Sequence, residues 1–308
     1  MLSTELGVSR ETINEWWTVC EREIAASPNN YGWEVDGDIM APANADPLVS
    51  ARATCNKLLK KLQVHPETLS TERTRILKEK VPGSQAERDF LLEKLFQGSY
   101  PKMETHFHPD AVQFINAIRK YTKNECAIIT NSRTDKVQGK LAKLRGLPTL
   151  PRVVGNAHKM KKDSRWTMYW AAMEEGDTGV GKEIPSQIRI PGLERPIFLQ
   201  RRLYFESMVA AGIIPPDGFL QVGTGTNAID HFREATMVAP HKTVVIGDVW
   251  ELDHSMPGQV LGMKTAYKKR PDSPRHEVDF VKEMAKQGKA VIGDTLMEIF
   301  GKIEEMMK

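Results

Sequence analysis

Apolar positions recur along this chain in two rhythms, and the change from one to the other divides it. From Ser9, a good N-cap, Ile13, Trp16, Trp17, Cys20 and Ile24 fall at helical spacing up to about Ala26, where Pro28-Asn29-Asn30 breaks the helix. A short alternating run follows, Tyr31, Trp33 and Val35, and leads into Asp36-Gly37-Asp38, a strand ending in acids. Residues of about 45 to 105 carry helical periodicity alone: SARATCNKLLKKL, then TERTRILKEK stopped by Pro82-Gly83, then SQAERDFLLEKLFQG between Ser84 and Gly98. A block of roughly 60 residues is too long for a plain loop, so it predicts an all-helical subdomain inserted after the first strand.

Beyond Pro109 the rhythm alternates between strand and helix. Strands are predicted at Cys126 to Thr130, Arg152 to Asn156, Phe219 to Val222, Thr243 to Ile246, Met263 to Ala266 and Ala290 to Ile292. This alternation predicts an α/β fold, a parallel sheet with helices on both faces. The stretch from Lys159 to His241 is long between strands and holds the Gly-rich, irregular segment GDTGVGKEIPSQIRIPG. It reads as an elaboration of about residues 160 to 240 beside the core. The expected organisation is an N-terminal helix over 1–30, a Rossmann-like α/β core over 31–41 and 106–308, and a helical cap over 42–105.

In a parallel sheet the strand ends lie side by side, so the polar residues that follow each apolar run bear on chemistry. The strand at Val244 to Ile246 runs into Gly247-Asp248 and a further acid, Asp253, a pairing that suits a hard metal ion. The first run ends in Asp36 and Asp38, the run CAIITNSRTD in Thr130 and Asn131, and RVVGNAHKMKKD near Lys159. Two acids, a hydroxyl, a lysine and two further acids are the parts that phosphoryl transfer through a carboxylate nucleophile requires. One Asp attacks phosphorus, and a second, two residues on, protonates the leaving oxygen and then activates water. Thr130 and Lys159 hold the equatorial oxygens as charge develops, while Mg²⁺ offsets repulsion between carboxylate and phosphate.

In these motifs the chain resembles the haloacid dehalogenase superfamily of phosphohydrolases over most of residues 31 to 308. The resemblance rests on the DxD after strand one, a helical insertion, IITNS, a lysine after the next strand, GDVWELD, and AVIGDTLMEIFGKIEEMM as a last strand and helix. It implies Asp36 as nucleophile, Asp38 as acid/base, phosphate binding by Thr130, Asn131 and Lys159, and Mg²⁺ held among Asp36, Asp38, Asp248 and, in support, Asp253. The implied substrate is a small phosphorylated metabolite, with the cap closing over the site to select it. A second register of WEVDGDIM places Glu34 at the nucleophile position and Asp36 at the acid/base position. Lys161, Arg195, Arg201 and Arg202 compete with Lys159 for phosphate. A catalytically silent binding or regulatory protein is the alternative function, and a metal-independent dehalogenase is disfavoured by Asp248 and Asp253.

Composition narrows the setting more than the chemistry. The 43 basic and 40 acidic residues of the 308 nearly cancel, to a formal charge of +3, which gives nucleic acid little to bind. LSTELGVSRETINEWW resembles the turn and second helix of a helix-turn-helix, but only about six residues precede the turn, too few for its first helix. Cys20, Cys55 and Cys126 are odd in number and widely spaced, which argues for a reducing, cytoplasmic setting. No signal-peptide core or run of ~18 apolar residues is present, so no membrane association is expected. Apolar surfaces on the cap helices leave a homodimer open. VGTGTNAID reads as a tight turn, and His106, His108, His158, His231, His241 and His254 lack paired metal spacing and read as surface or packing residues.

Overall fold

A computed structural model describes residues 2–35, 37–64, 88, 90–92, 94–95, 106–162, 167–170, 182–214, 219–222 and 242–308. The chain is a mixed α/β protein that divides into two compact units, Met1–Thr105 and His106–Lys308.

In the first unit a short helix α1 (Leu2–Leu6) turns at Gly7 into α2 (Arg10–Ala26). Ser9 keeps extended backbone and its hydroxyl accepts the Thr12 N–H, satisfying one of the free donors at the start of α2. The apolar face of α2 packs Ile13 and Cys20 with Cys55, Leu58 and Leu59 of α3 (Pro47–Val64), together with Leu6, Leu91 and Leu92. Burying each such leucine contributes about 1.5–3 kcal/mol, which makes this cluster the unit's core. Leu91 and Leu92 belong to a helical stretch of SQAERDFLLEKLFQG; TERTRILKEK lies outside the described residues.

Between α2 and α3 runs a hairpin, β1 (Gly32–Val35) and β2 (Asp38–Pro42), paired antiparallel. Val35 pairs with Asp38, and Gly37 in the tight connection stands at φ +84°. Asp-Gly between alternating apolar residues is a strong hairpin signal, because a turn that matches strand twist needs left-handed backbone. β1 was expected to open a parallel sheet; its described partner is β2, in the opposite sense. The two strands approach so closely at Gly32 that an added Cβ would fall 1.9 Å from the Ala41 carbonyl oxygen.

The second unit holds the parallel strands. β3 (Ala127–Ile129) pairs with β4 (Arg152–Val154), separated in sequence by α5 (Thr134–Leu141). β10 (Val244–Gly247), β11 (Lys264–Lys268) and β12 (Ala290–Gly293) form a parallel sheet in that order. Alternate side chains of a strand point to opposite faces, and both faces of β11 are covered. Tyr267 joins Val281 and Met284 of α8 (Arg275–Lys286), whereas Ala266 meets Ile299 and Ile303 of α9 (Leu296–Met306). Ile118 of α4 (Ala111–Tyr121) packs on the α9 side, and Asp110 Oδ2 accepts the Met297 N–H at 3.0 Å to tie the starts of the two helices.

Phe219 to Val222, expected in the parallel sheet, instead forms β9 of an antiparallel sheet ordered β6 (Lys182–Glu183), β5 (Thr167–Trp170), β9. Periodicity sees the strand but not the sense of its pairing. β7 (Gln187–Ile188) and β8 (Ile197–Phe198) form a further antiparallel pair, so part of the segment read as irregular is strand. Ile184, Ile197 and Leu199 and, from α6 (Arg202–Ala210), Tyr204 and Phe205 share one apolar cluster with Trp250, Met256 of the short helix α7 (Ser255–Gln259) and Tyr267. The tight turn expected after Val222 in VGTGTNAID, with His231 and His241, lies outside the described residues.

Candidate functional site around Lys159 and Asp253

The turns that follow β3, β4 and β10 are joined by hydrogen bonds. Thr130 continues β3, with its N–H on the Val154 carbonyl and its own carbonyl accepting from Ala157, both at 3.0 Å. Its hydroxyl accepts the Ser132 N–H at 3.2 Å, which tightens the turn into α5. Asn131 reaches across to accept the Lys159 backbone N–H at 2.7 Å. Gly155 is required beside this turn, since an added Cβ would fall 2.3 Å from the Thr134 nitrogen and 2.6 Å from the Ser132 oxygen. Asn156 (φ 55°) and His158 (φ 43°) then take left-handed backbone around the buried Ala157, a conformation that Asn and His adopt more readily than most residues.

That bent loop delivers Lys159 to Asp253. Lys159 Nζ lies 2.7 Å from Asp253 Oδ1, and both side chains are about seven-eighths withdrawn from solvent, at 12% and 13% exposed. Asp253 Oδ2 accepts the N–H groups of Asp248 and Val249, each at 3.2 Å, so both carboxylate oxygens are engaged. Gly247 makes room for this carboxylate: an added Cβ would sit 2.4 Å from Oδ2. The Tyr204 hydroxyl donates to the Asp253 carbonyl at 2.9 Å, and its ring lies 5.0 Å from Lys159 Nζ. Burial opposes the ammonium of Lys159, but Asp253, with Tyr204 and Asp248 around it, more than offsets this and holds the lysine above its ordinary pKa. Burial also opposes the charge on Asp253, and Lys159 keeps its carboxyl below the usual range. Burial pushes Tyr204 up to about 12, so it stays a neutral donor.

Asp248 stands at the carboxyl end of β10 with its side chain half exposed, and Arg270, beyond the end of β11, brings Nε to 3.9 Å from its Oδ2. Arg270 was not singled out from the sequence; the signal was its place after the strand that neighbours β10. Tyr204 was missed as well, and no local pattern marks it.

The rival cations are placed differently. Arg195 grips buried Glu251, its Nη2 donating to both oxygens at 2.7 and 2.9 Å. Arg201 is fully buried and donates to the carbonyls of Phe198 and Glu251, and Arg202 pairs with Glu206 along α6. Lys162 lies over the Phe198 ring, 4.5 Å from its centroid, and the Lys161 N–H closes a turn on His158. Of the first motif, Asp38 opens β2 in the first unit, and Asp36 lies outside the described residues. Glu34 accepts from Lys60 of α3 at 2.7 Å.

The structure thus brings together Asn131 beside Thr130, Lys159, and Asp253 beside Asp248. A fixed ammonium between strand-end turns, next to a half-exposed carboxylate, is an arrangement suited to a phosphate and a hard cation. No family model, curated protein or solved structure matches the chain.

Proposed function

We propose that the chain is a Mg²⁺-dependent phosphohydrolase with a Rossmann-like core and a helical cap, cleaving a small phosphomonoester through an aspartyl-phosphate intermediate. The observation that carries this reading is the double engagement of Lys159, whose N–H is on Asn131 and whose Nζ is on Asp253. It joins three of the four motif clusters that the sequence separates, in the order the chemistry requires. Lys159 and the Thr130 hydroxyl would receive the phosphate oxygens, and Asp36 and Asp38 take nucleophile and acid/base on the strength of their motif. Asp248 fits a hard cation as a half-exposed carboxylate at a strand end; Asp253, with both oxygens engaged, serves by holding Lys159 and the turn. Bound Mg²⁺ would supply charge to offset the phosphate dianion.

Three free thiols, two of them buried, support a reducing cytoplasmic setting. No described helix is long and apolar enough to cross a membrane.

A second reading, a phosphate-binding protein without turnover, is favoured by one observation. Asp38 of the DxD motif opens the second strand of an antiparallel hairpin rather than following a parallel strand. Phosphate release from aryl, sugar and nucleoside monophosphates, with Mg²⁺ and with EDTA, decides between them. Turnover that needs Mg²⁺ and disappears in Asp36→Asn supports the enzyme. Folded protein that binds phosphate but turns over no member of the panel supports the second reading.

A further inference from the structure

Three other side chains converge where the turn after β10 meets the start of α8. Glu251 belongs to the π-helical turn Trp250–His254, while His276 and Glu277 occupy the first turn of α8. One donor atom from each lies within 4.8 Å of the other two, and His276 Nε2 stands 4.0 Å from Glu251 Oε1. Both glutamates are fully buried and the His276 side chain is 6% exposed.

Two of these buried groups have no hydrogen-bond partner among the described residues, His276 Nε2 and Glu277 Oε1. A buried polar atom left unpaired costs about 1–3 kcal/mol, and two such atoms on adjacent residues call for an explanation. Their orientations are fixed by other contacts. The second oxygen of Glu277 accepts the Trp250 N–H at 3.2 Å and the Tyr267 hydroxyl at 2.9 Å, and Glu251 is held by Arg195. Outer hydrogen bonds that aim ligand atoms inward are what a metal site needs around it.

We propose that Glu251, His276 and Glu277 bind one divalent transition-metal ion of the zinc type, tying the turn after β10 to the start of α8. Zinc takes imidazole nitrogen and carboxylate oxygen at roughly 2.0–2.2 Å, so its donors stand about 3.3–3.6 Å apart. The donors lie within 4.8 Å of one another, so binding would draw them together by roughly 1 Å. Mg²⁺ fits poorly, since it prefers an all-oxygen octahedron and keeps several waters, which a buried pocket containing imidazole does not provide. Burial and neighbouring Arg195 keep the imidazole neutral, the form that ligates. Arg195, Arg201 and Arg270 are the cations facing the two glutamates and reduce the affinity; Arg195 need not leave, because each carboxylate oxygen has two lone pairs.

The test uses the full chain stripped with EDTA and titrated with Zn²⁺ and, separately, Mg²⁺, with bound metal counted after gel filtration. The expected result is one Zn²⁺ per chain, retained in Asp248→Asn and weakened at least about tenfold in His276→Gln and in Glu277→Gln. Should a variant fail to fold, X-ray absorption at the zinc edge of the wild-type protein answers instead, with imidazole and oxygen scattering expected and sulfur absent. No stoichiometric zinc, binding that survives His276→Gln in folded protein, or a sulfur shell from the cysteines overturns the site. None of these readouts depends on phosphatase activity, so this site and the phosphohydrolase reading stand or fall separately.

Discussion

Asp253 reaches back over Gly247 to meet Lys159, which arrives from the far side of the long segment between β4 and β10, and the pair closes at 2.7 Å with little solvent around it. Two charges withdrawn from water gain little over an apolar pair of the same shape, but removing one strands the other. Lys159→Met therefore leaves a buried carboxylate with only the Asp248 and Val249 amides, and is expected to lower stability by about 3–5 kcal/mol. The double variant Lys159→Met/Asp253→Leu should recover part of that loss while remaining inactive. Urea melts and phosphate release on the three proteins measure both, and a single variant as stable as wild type would remove the pair from the architecture.

At Gly247 a single methyl would displace Asp253 directly. The added Cβ would lie 2.4 Å from Asp253 Oδ2 and 2.5 Å from Asp253 Cβ, so the acidic side chain must leave its two amide donors. Gly247→Ala should cost about 1–3 kcal/mol through overpacking and reduce turnover to the level of Lys159→Met. Gly37→Ala meets no atom of the described residues but holds φ +84°, so about 1 kcal/mol of backbone strain is expected there, with turnover less affected. Equal effects on turnover at the two glycines would contradict this account.

The contrast between these glycines also marks what the sequence discloses. β3, β4 and β10 to β12 are short apolar runs ended by polar residues, and a buried parallel strand needs little more to be read. The residues at their ends could be listed for the same reason, since strand ends collect in parallel sheets. The hairpin of β1 and β2 was not legible in the same way, since Asp-Gly serves both as a turn and as part of an acidic motif, and only pairing separates these uses. β9 shows the remaining limit: Phe219 to Val222 is a strand in either sense, and the choice of an antiparallel partner depends on β5, a segment without a strand pattern strong enough to see. Likewise, Glu251 and Glu277 are ordinary acids in sequence, and only the crossing of a turn with the start of α8 makes them neighbours.

Cys55 gives a test of the first unit through pH. Burial raises its thiol to about 12, with Arg52 opposing weakly, from an ordinary value near 9. Between those two values the folded chain keeps the proton and the unfolded chain loses it, so unfolding gains as pH rises. Stability should therefore fall by at most about 1.4 kcal/mol per pH unit above 9 from this group, and be unaffected by it below 8. Comparing the alkaline slope of wild type with Cys55→Ala isolates the contribution from that of lysines and tyrosines. Alkylation at pH 8 should meanwhile modify Cys126, which is partly exposed, well before buried Cys20 or Cys55.

The first motif can be resolved by comparing neighbouring acids. Glu34 is held by Lys60 of α3 at 2.7 Å with its side chain 17% exposed, an engagement within the first unit that occupies the carboxylate a nucleophile would need free. Because the Lys60 partner is 44% exposed, this pair contributes no more than about 1 kcal/mol, so Glu34→Gln should fold normally. If Asp36 is the nucleophile, Asp36→Asn abolishes turnover and traps no phosphoenzyme, while Glu34→Gln retains activity within about threefold. Rapid acid quench with labelled substrate, followed by peptide mapping, identifies the phosphorylated carboxylate directly. A phosphorylated Glu34, or inactivation by Glu34→Gln alone, would assign the motif to the other register and move Asp36 from attack on phosphorus to proton transfer.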